Sequence, residues 1–423
     1  MELLILMLLL LGLLALRVPV AFSLLISAMA VFALLGLNPL IAVQRLSAGI
    51  DVFTLMAIPF FVFAGDLMTQ TGIAARLIKA AEGLFGRVRG GLGHVNVGAS
   101  MMFGAVSGSA VASVSAIGST MIPIMEEKGY DRDFSVNVTS SAAVLGLIIP
   151  PSHNMIIYSA AAAVSISIGD LFVAGILPGI FCGLALMITV SIIAARKGYP
   201  KGVFPGFRAL FYSIISALPG LMTAIIIVVG ILGGVFTPTE SSAVAIVYTI
   251  LIGTLLYRSL GLKEFKAAVV SSAKTTAMIM LIIGAAAAFG WLLALLEAPM
   301  MMSDLILGLT DSPVLIMLMV LACLLVLGTF MDMAPLIIIV TPIFLPVVQT
   351  IGIDPVHFGI IMMLALGIGT ITPPVGTVLF VGAAVGKIKM EDTVKTMWPF
   401  YLALIACLLV ITYVPAISLV LVS

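Results

Sequence analysis

Apolar residues in this chain gather in long uninterrupted blocks, and charges and prolines cut those blocks apart. Continuous apolar segments occupy residues 3–16, 18–37, 52–71, 134–164, 171–195, 209–232, 241–257, 275–296, 356–385 and 397–422. Runs of this kind read as membrane helices, which need about 20 apolar residues to cross the hydrocarbon. Two further regions, 95–125 and 313–348, are too long for one helix and carry small or polar residues near their middles. The first segment follows Glu2 rather than a basic stretch and has no small-residue cleavage site after it. It therefore reads as a membrane helix and not as a removable signal.

Composition agrees with the pattern. The 423 residues are 62% hydrophobic and 9% charged, with mean hydropathy +1.33. A soluble domain carries about 25% charged residues, so an all-α polytopic membrane protein is expected. The formal charge of +1 gives no reason to expect nucleic-acid binding. Cys182, Cys323 and Cys407 lie far apart in apolar stretches and suggest neither a disulfide framework nor a metal cluster.

The chain also repeats itself. Shifted by 223 residues, 107–162 aligns without gaps to 330–385. Pro123 then meets Pro346, Gly129 meets Gly352, Asp131 meets Asp354, and Gly146 meets Gly369. Pro150-Pro151 fall on Pro373-Pro374, and Ala160-Ala161 on Ala383-Ala384. The double proline is the specific part of this match. Residues 1–200 and 201–423 are thus two copies. The first holds a hairpin at 94–125 and a broken helix at 134–164; the second holds a hairpin at 313–348 and a broken helix at 356–385.

Loop charge sets the orientation. The segment after the third span carries Arg76, Lys79, Arg87 and Arg89, whereas its counterpart carries Glu297, Asp304 and Asp311 without a basic residue. The positive-inside rule puts the first in the cytoplasm and the second outside. Opposite sides require inverted copies, each with an odd number of crossings. Five crossings per copy fit if both hairpins are re-entrant. Every one of the 19 basic residues except Arg45, Arg17 included, then lies inside, and both termini lie outside.

Four interruptions stand at membrane depth in two related pairs. They are Ser107-Gly108-Ser109, Pro150-Pro151-Ser152-His153-Asn154, Gly328-Thr329-Phe330-Met331-Asp332 and Gly369-Thr370-Ile371-Thr372-Pro373-Pro374. Proline removes an amide and frees a carbonyl, and glycine allows the sharp turn. Irregular backbone at this depth lines a cavity or is buried in protein. Half-helices in matching places of inverted halves point to a midplane site in a secondary transporter. Close helix packing alone also favours Gly, Ser and Thr.

Asp332 is an acid in an apolar hairpin, expensive in lipid and usually functional. It could line a cation site, relay a proton or cap a helix. Glu240, in Thr237-Pro238-Thr239-Glu240, reads as a first-turn carboxylate favoured by the helix dipole. His153 is expected to pack or hydrogen-bond beside its break and not to bind a transition metal. Asp51 and Asp66 are expected near span ends. No GxSxG, GxGD or GxxxxGK[ST] motif occurs and only three histidines are present, which argues against an intramembrane hydrolase or an ATP-driven pump. No charge ring suggests a channel.

At these residues the chain resembles the large membrane subunit of tripartite ATP-independent periplasmic (TRAP) transporters. The carriers are Ser107-Gly108-Ser109, Ala116-Ile117-Gly118, Met121-Ile122-Pro123, Leu147-Ile148-Ile149-Pro150-Pro151-Ser152, 167–175, Phe236-Thr237-Pro238-Thr239-Glu240 and Thr372-Pro373-Pro374-Val375-Gly376. The resemblance implies a sodium-driven importer in a bacterial inner membrane, fed with a carboxylate-bearing solute by a periplasmic binding protein. It implies a small four-helix membrane subunit as partner, no organic cofactor, and an elevator in which hairpins and broken spans move against a scaffold. It places sodium on Ser107, Gly108, Ser109 and Ser152, and on Gly328, Asp332, Gly369, Thr370, Thr372 and Pro373. It places solute against Ser113, Pro151, Asn154 and Thr377. Family members often carry an acid near the position of Ser113. His153-Asn154 is similar to members handling sugar acids such as sialic acid. A proton-coupled carrier, or an anion transporter needing no binding protein, is the alternative.

Overall fold

In lipid a backbone must satisfy its own hydrogen bonds, so the apolar blocks close into helices. The structure, a computed structural model, describes residues 1–422 apart from Arg17, Ala163, Val203 and Phe204. The expected cytoplasmic placement of Arg17 therefore lies outside the described residues, as does Ala163 within the broken segment 134–164. The first half contains α1 (Glu2–Ala15), α2 (Val20–Leu34), α3 (Pro39–Ile50), α4 (Ala57–Gln70) and α5 (Ile73–Phe85). A helical hairpin follows, α6 (Gly91–Ser107) and α7 (Ala110–Glu127), then the broken pair α8 (Arg132–Ala143) and α9 (His153–Ala161), and α10 (Ile168–Lys197).

The second half contains α11 (Phe207–Leu232), α12 (Pro238–Leu251), α13 (Leu262–Leu295) and α14 (Ala298–Leu309). Its hairpin is α15 (Pro313–Gly328) and α16 (Met333–Thr350). Its broken pair is α17 (Pro355–Thr370) and α18 (Thr377–Gly386), and α19 (Met390–Tyr413) and α20 (Ala416–Leu419) end the fold. Seven stretches among the described residues are long and apolar enough to cross a membrane, including α10, α11, α13 and α19. The chain is a multi-pass membrane protein.

Element boundaries recur at the offset found in the sequence. Both ends of α7 (Ala110–Glu127) move onto both ends of α16 (Met333–Thr350) when shifted by 223. The two halves also differ in several places. In the first, α3 and α4 are separated by Asp51, Val52 and a 3-10 turn, Phe53–Met56; in the second, α13 runs unbroken for 34 residues. It begins thirteen residues before the expected start at 275, taking Lys263, Lys266 and Lys274 into the helix. The basic segment after the third span, expected as a loop, is largely helical. Ile73, Leu77, Ile78 and Ala81 in α5 are buried while Lys79 and Glu82 are exposed, the spacing of an amphipathic helix. Its acidic counterpart is likewise helical, as α14.

The interior is where the hairpins and broken helices meet. Every residue from Phe134 to Ala143 in α8 and from His357 to Thr370 in α17 is buried. The outside is apolar: Phe207, Phe211, Ile215, Leu218, Ile225, Val229 and Leu232 form an exposed stripe along α11, while Asn96, Asn137, Ser140 and Ser141 are buried. That is the arrangement lipid demands, with polar groups facing protein. Tyr158 donates to the Pro355 carbonyl at 2.6 Å, and a Cβ on Gly367 would lie 2.8 Å from Val144, so the two broken helices pack directly together. Glu240 behaves as its motif suggested. Thr237 and Glu240 form a reciprocal capping box at the start of α12, with the Thr237 amide donating to Oε2 at 2.8 Å.

Candidate functional site

In the first half, α6 ends because Gly108 takes a left-handed turn at φ +61°, and Ser109 restarts the chain as the N-cap of α7, accepting from the Ala112 amide at 3.3 Å. This tip lies on the break. A Cβ on Gly108 would stand 2.9 Å from the Pro151 carbonyl oxygen, 3.4 Å from the Ser152 Cα and 3.5 Å from the His153 Nδ1. One turn deeper, a Cβ on Gly104 would stand 2.4 Å from the Gly146 Cα, so two backbones touch where glycine alone fits. Ser107 is also packed from the other side: a Cβ on Gly65 of α4 would lie 3.2 Å from its carbonyl oxygen.

The hydroxyls at this tip divide into two kinds. Ser107 and Ser109 bond locally, with the Ser107 hydroxyl accepting from the Ser109 amide at 3.4 Å. Ser113 and Ser152 are buried and their Oγ atoms have no hydrogen-bond partner. A buried hydroxyl left unpaired costs free energy, which is a reason to ask what it serves. Pro151 and Asn154 are buried beside them.

The second tip follows the same path with different bonds. The Thr329 carbonyl accepts from the Val375 amide at 3.1 Å and the Gly376 amide at 3.4 Å, tying tip to break. A Cβ on Gly369 would lie 2.5 Å from the Gly328 backbone. Asp332 occupies the N-cap position of α16 without a side-chain cap, and its Oδ1 accepts from the Thr377 hydroxyl at 3.5 Å. Thr370 donates to the Gly367 carbonyl and Thr372 to the Ile368 carbonyl, both at 2.7 Å. Each threonine spends its proton on backbone, leaving the oxygen lone pairs as acceptors. Pro373 is half-buried in this break. Pro150-Pro151 and Pro373-Pro374 are both joined by cis peptide bonds.

The structure therefore gathers Gly108, Pro151 and Ser152 at one tip, and Gly328, Asp332, Gly369 and Thr377 at the other. Among the described residues no hydrogen bond joins the first set to the second. Two contributors were given no role in the sequence, and a third was read only as a span-end residue. Thr329 acts through its carbonyl, which residue type does not advertise. Tyr401 donates to the Ile371 carbonyl at 2.6 Å and so holds the second break from α19. Asp66, expected near a span end, sits next to Gly65 with its Oδ2 buried and unpartnered. Asp51, by contrast, is exposed after α3.

Comparison with known proteins agrees with this architecture. A family model described as the DctM component of the tripartite ATP-independent periplasmic transporter matches residues 7–417. YgiK of Salmonella typhimurium, an uncharacterised protein, is 42% identical, covering 96% of this chain and 94% of its own. The C4-dicarboxylate TRAP transporter large permease DctM of Pseudomonas aeruginosa is 41% identical over 87% of this chain and 86% of its own. The sialic acid TRAP transporter large permease SiaM of Vibrio cholerae is 38% identical over 97% and 96%. Among solved structures, the YdaH transporter of Alcanivorax borkumensis shares the fold, with TM-score 0.61 and 11% identity over 88% of this chain and 86% of that one. DctM and SiaM are named as transporter permeases and not as enzymes. The chain belongs to the TRAP transporter family, as its DctM component, the large permease.

Proposed function

We propose that this permease imports a carboxylate-bearing solute by coupling it to sodium. The observation that carries the reading is the pair of hairpin tips, each seated on a backbone break. Hard cations favour oxygen ligands, and these breaks supply hydroxyls and carbonyls with a single carboxylate. The unpartnered Oγ of Ser152 fits a sodium held with Ser107, Gly108 and Ser109. Asp332 fits a second with Gly328, Gly369, Thr370, Thr372 and Pro373. Solute would lie against Ser113, Pro151, Asn154 and Thr377.

Relatives of nearly equal identity are named for a C4-dicarboxylate and for sialic acid, so overall identity does not choose the solute. The His153-Asn154 pair after the double proline favours a sugar acid. We further infer two inverted copies, 1–200 and 201–423, in a bacterial inner membrane with both termini outside. A small membrane subunit packs beside the chain and a periplasmic binding protein delivers the solute. The hairpins and broken helices then move as one body against a scaffold of the remaining helices. The packing of α8, α9, α17 and α18 on one another supports a single moving body.

Uptake into proteoliposomes holding this chain, its small subunit and a loaded binding protein tests the reading. Inward sodium should be required. Equal uptake on a proton gradient alone would assign Asp332 to a proton relay and remove the sodium reading.

A further inference from the structure

We propose that the meeting point of segments 86–91 and 199–202 binds the headgroup of an anionic phospholipid. Two connecting segments far apart in sequence are drawn together there. Arg89 pairs antiparallel with Lys201, and the Gly90 amide donates to the Pro200 carbonyl at 3.1 Å. A Cβ on Gly202 would lie 2.0 Å from the Gly86 carbonyl oxygen, and one on Gly90 would lie 2.5 Å from the Ala194 Cβ, so the contact is close along its length. It brings Arg87 and Arg89 of one segment beside Lys201 of the other, all three exposed, with Arg196 near the end of α10 also exposed.

This concentration of positive charge has no protein counterion. Among the described residues, none of these four side chains forms a salt bridge; the neighbouring Lys197 is already taken by Asp131, and Glu82 pairs with nothing. Like charges held together by backbone contacts create a local field that attracts an anion.

The surroundings select a lipid over a free anion. Leu84, Val88, Phe207, Phe211 and Tyr212 are exposed beside the basic groups, and a Cβ on Gly83 of α5 would lie 2.6 Å from Leu210, so α5 and the start of α11 share this edge. Aromatic rings with arginines at a membrane boundary sit at headgroup level. Phosphate would meet the guanidinium and ammonium groups while acyl chains lie along the apolar stripe of α11. The reading is independent of solute and coupling ion.

Native mass spectrometry of the detergent-solubilised chain, titrated with phosphatidylglycerol or phosphatidylcholine, tests it. The wild type should hold phosphatidylglycerol well above phosphatidylcholine. Each basic residue contributes about 1 kcal/mol near an anionic surface, so Arg87→Gln, Arg89→Gln and Lys201→Gln together should weaken the anionic lipid roughly a hundredfold. Arg87→Lys with Arg89→Lys should bind as wild type, and Lys263→Gln with Lys266→Gln should change nothing. Equal binding of the two lipids by the wild type, or undiminished binding by the triple variant, overturns the proposal. So does full displacement by millimolar inorganic phosphate. If the triple variant does not fold, the wild-type comparison and Arg87→Gln alone decide.

Discussion

The two tips follow one backbone path and finish it with opposite chemistry. The first carries neutral oxygens and stands beside α8, whose buried residues include Ser135, Asn137, Thr139, Ser140 and Ser141. The second carries the Asp332 carboxylate and stands beside α17, apolar from Phe358 to Gly369. The first tip meets its break by glycine contact, leaving the Ser113 and Ser152 hydroxyls uncommitted; the second is laced by two amides to the Thr329 carbonyl. A lone carboxylate has no neighbour to take over its charge, whereas neutral oxygens in a polar wall can substitute for one another. Losses at the second tip should therefore be larger than losses at the first.

Asp332→Asn tests the sharper half of that contrast. Asp332 is exposed and meets the Thr377 hydroxyl, so the loss is that of one contact to a charged group, about 1.5–3 kcal/mol, and uptake should fall at least roughly tenfold while the purified protein still elutes as one species. Normal transport by that variant would mean that the carboxylate holds no coupling ion and would erase the difference between the tips.

Glycine contact is expected to matter at both tips alike. Gly369→Ala and Gly104→Ala place a Cβ 2.5 and 2.4 Å from opposing backbone. Overpacking of this kind costs about 1–3 kcal/mol or more, and both variants should lose thermal stability in detergent. Gly12→Ala, with nothing within 4 Å, should melt like the wild type. If only one tip is sensitive, the shared backbone path is not the common support.

Ser152→Ala and Ser113→Ala probe the neutral tip. Neither hydroxyl has a protein partner to lose, so stability should hold or rise slightly. A hydrogen-bond-sized contribution of about 1 kcal/mol predicts that the sodium concentration for half-maximal uptake rises roughly fivefold in Ser152→Ala. A melting temperature lowered by several degrees would mean these hydroxyls are structural.

The smallest effect compares the two aspartates that stand 223 residues apart at the entrances to the broken helices. Asp354 caps α17 by accepting from the Val356 and His357 amides at 2.8 and 3.1 Å. Asp131 instead turns to Lys197 and to the Tyr199 hydroxyl. Lys197 holds the Asp131 carboxyl below the usual carboxylate range, while burial and this same carboxylate push the Tyr199 phenol up. A depressed carboxylate stabilises the fold above its ordinary pKa and loses that contribution as pH falls through the lowered value. The pair is exposed, so it is worth at most about 1 kcal/mol. Asp131→Asn should melt slightly below wild type at neutral pH, and the gap should close below about pH 4. A gap that widens on acidification would contradict the assignment.

Several of these features were open to reading in one dimension. Hydropathy is local: a block of about 20 apolar residues must become a helix whatever its neighbours are, so the spans and both hairpins could be read directly. The repeat was equally open, because Pro150-Pro151 and Pro373-Pro374 reproduce their spacing from Pro123 and Pro346. The helical period of Ile73, Leu77, Ile78 and Ala81 also stood in the text, hidden by the basic residues that made the segment read as a loop.

Residue order alone thus specifies a membrane-embedded helical chain whose halves share a pattern of breaks. Folding in three dimensions settles which groups meet: Thr329 is tied to Val375 and Gly376, Ser113 and Ser152 keep free lone pairs, and Arg89 comes to lie against Lys201. The physical reason is that burial depends on the residue and the bilayer, whereas a hydrogen bond depends on a partner that another helix must bring within about 3 Å.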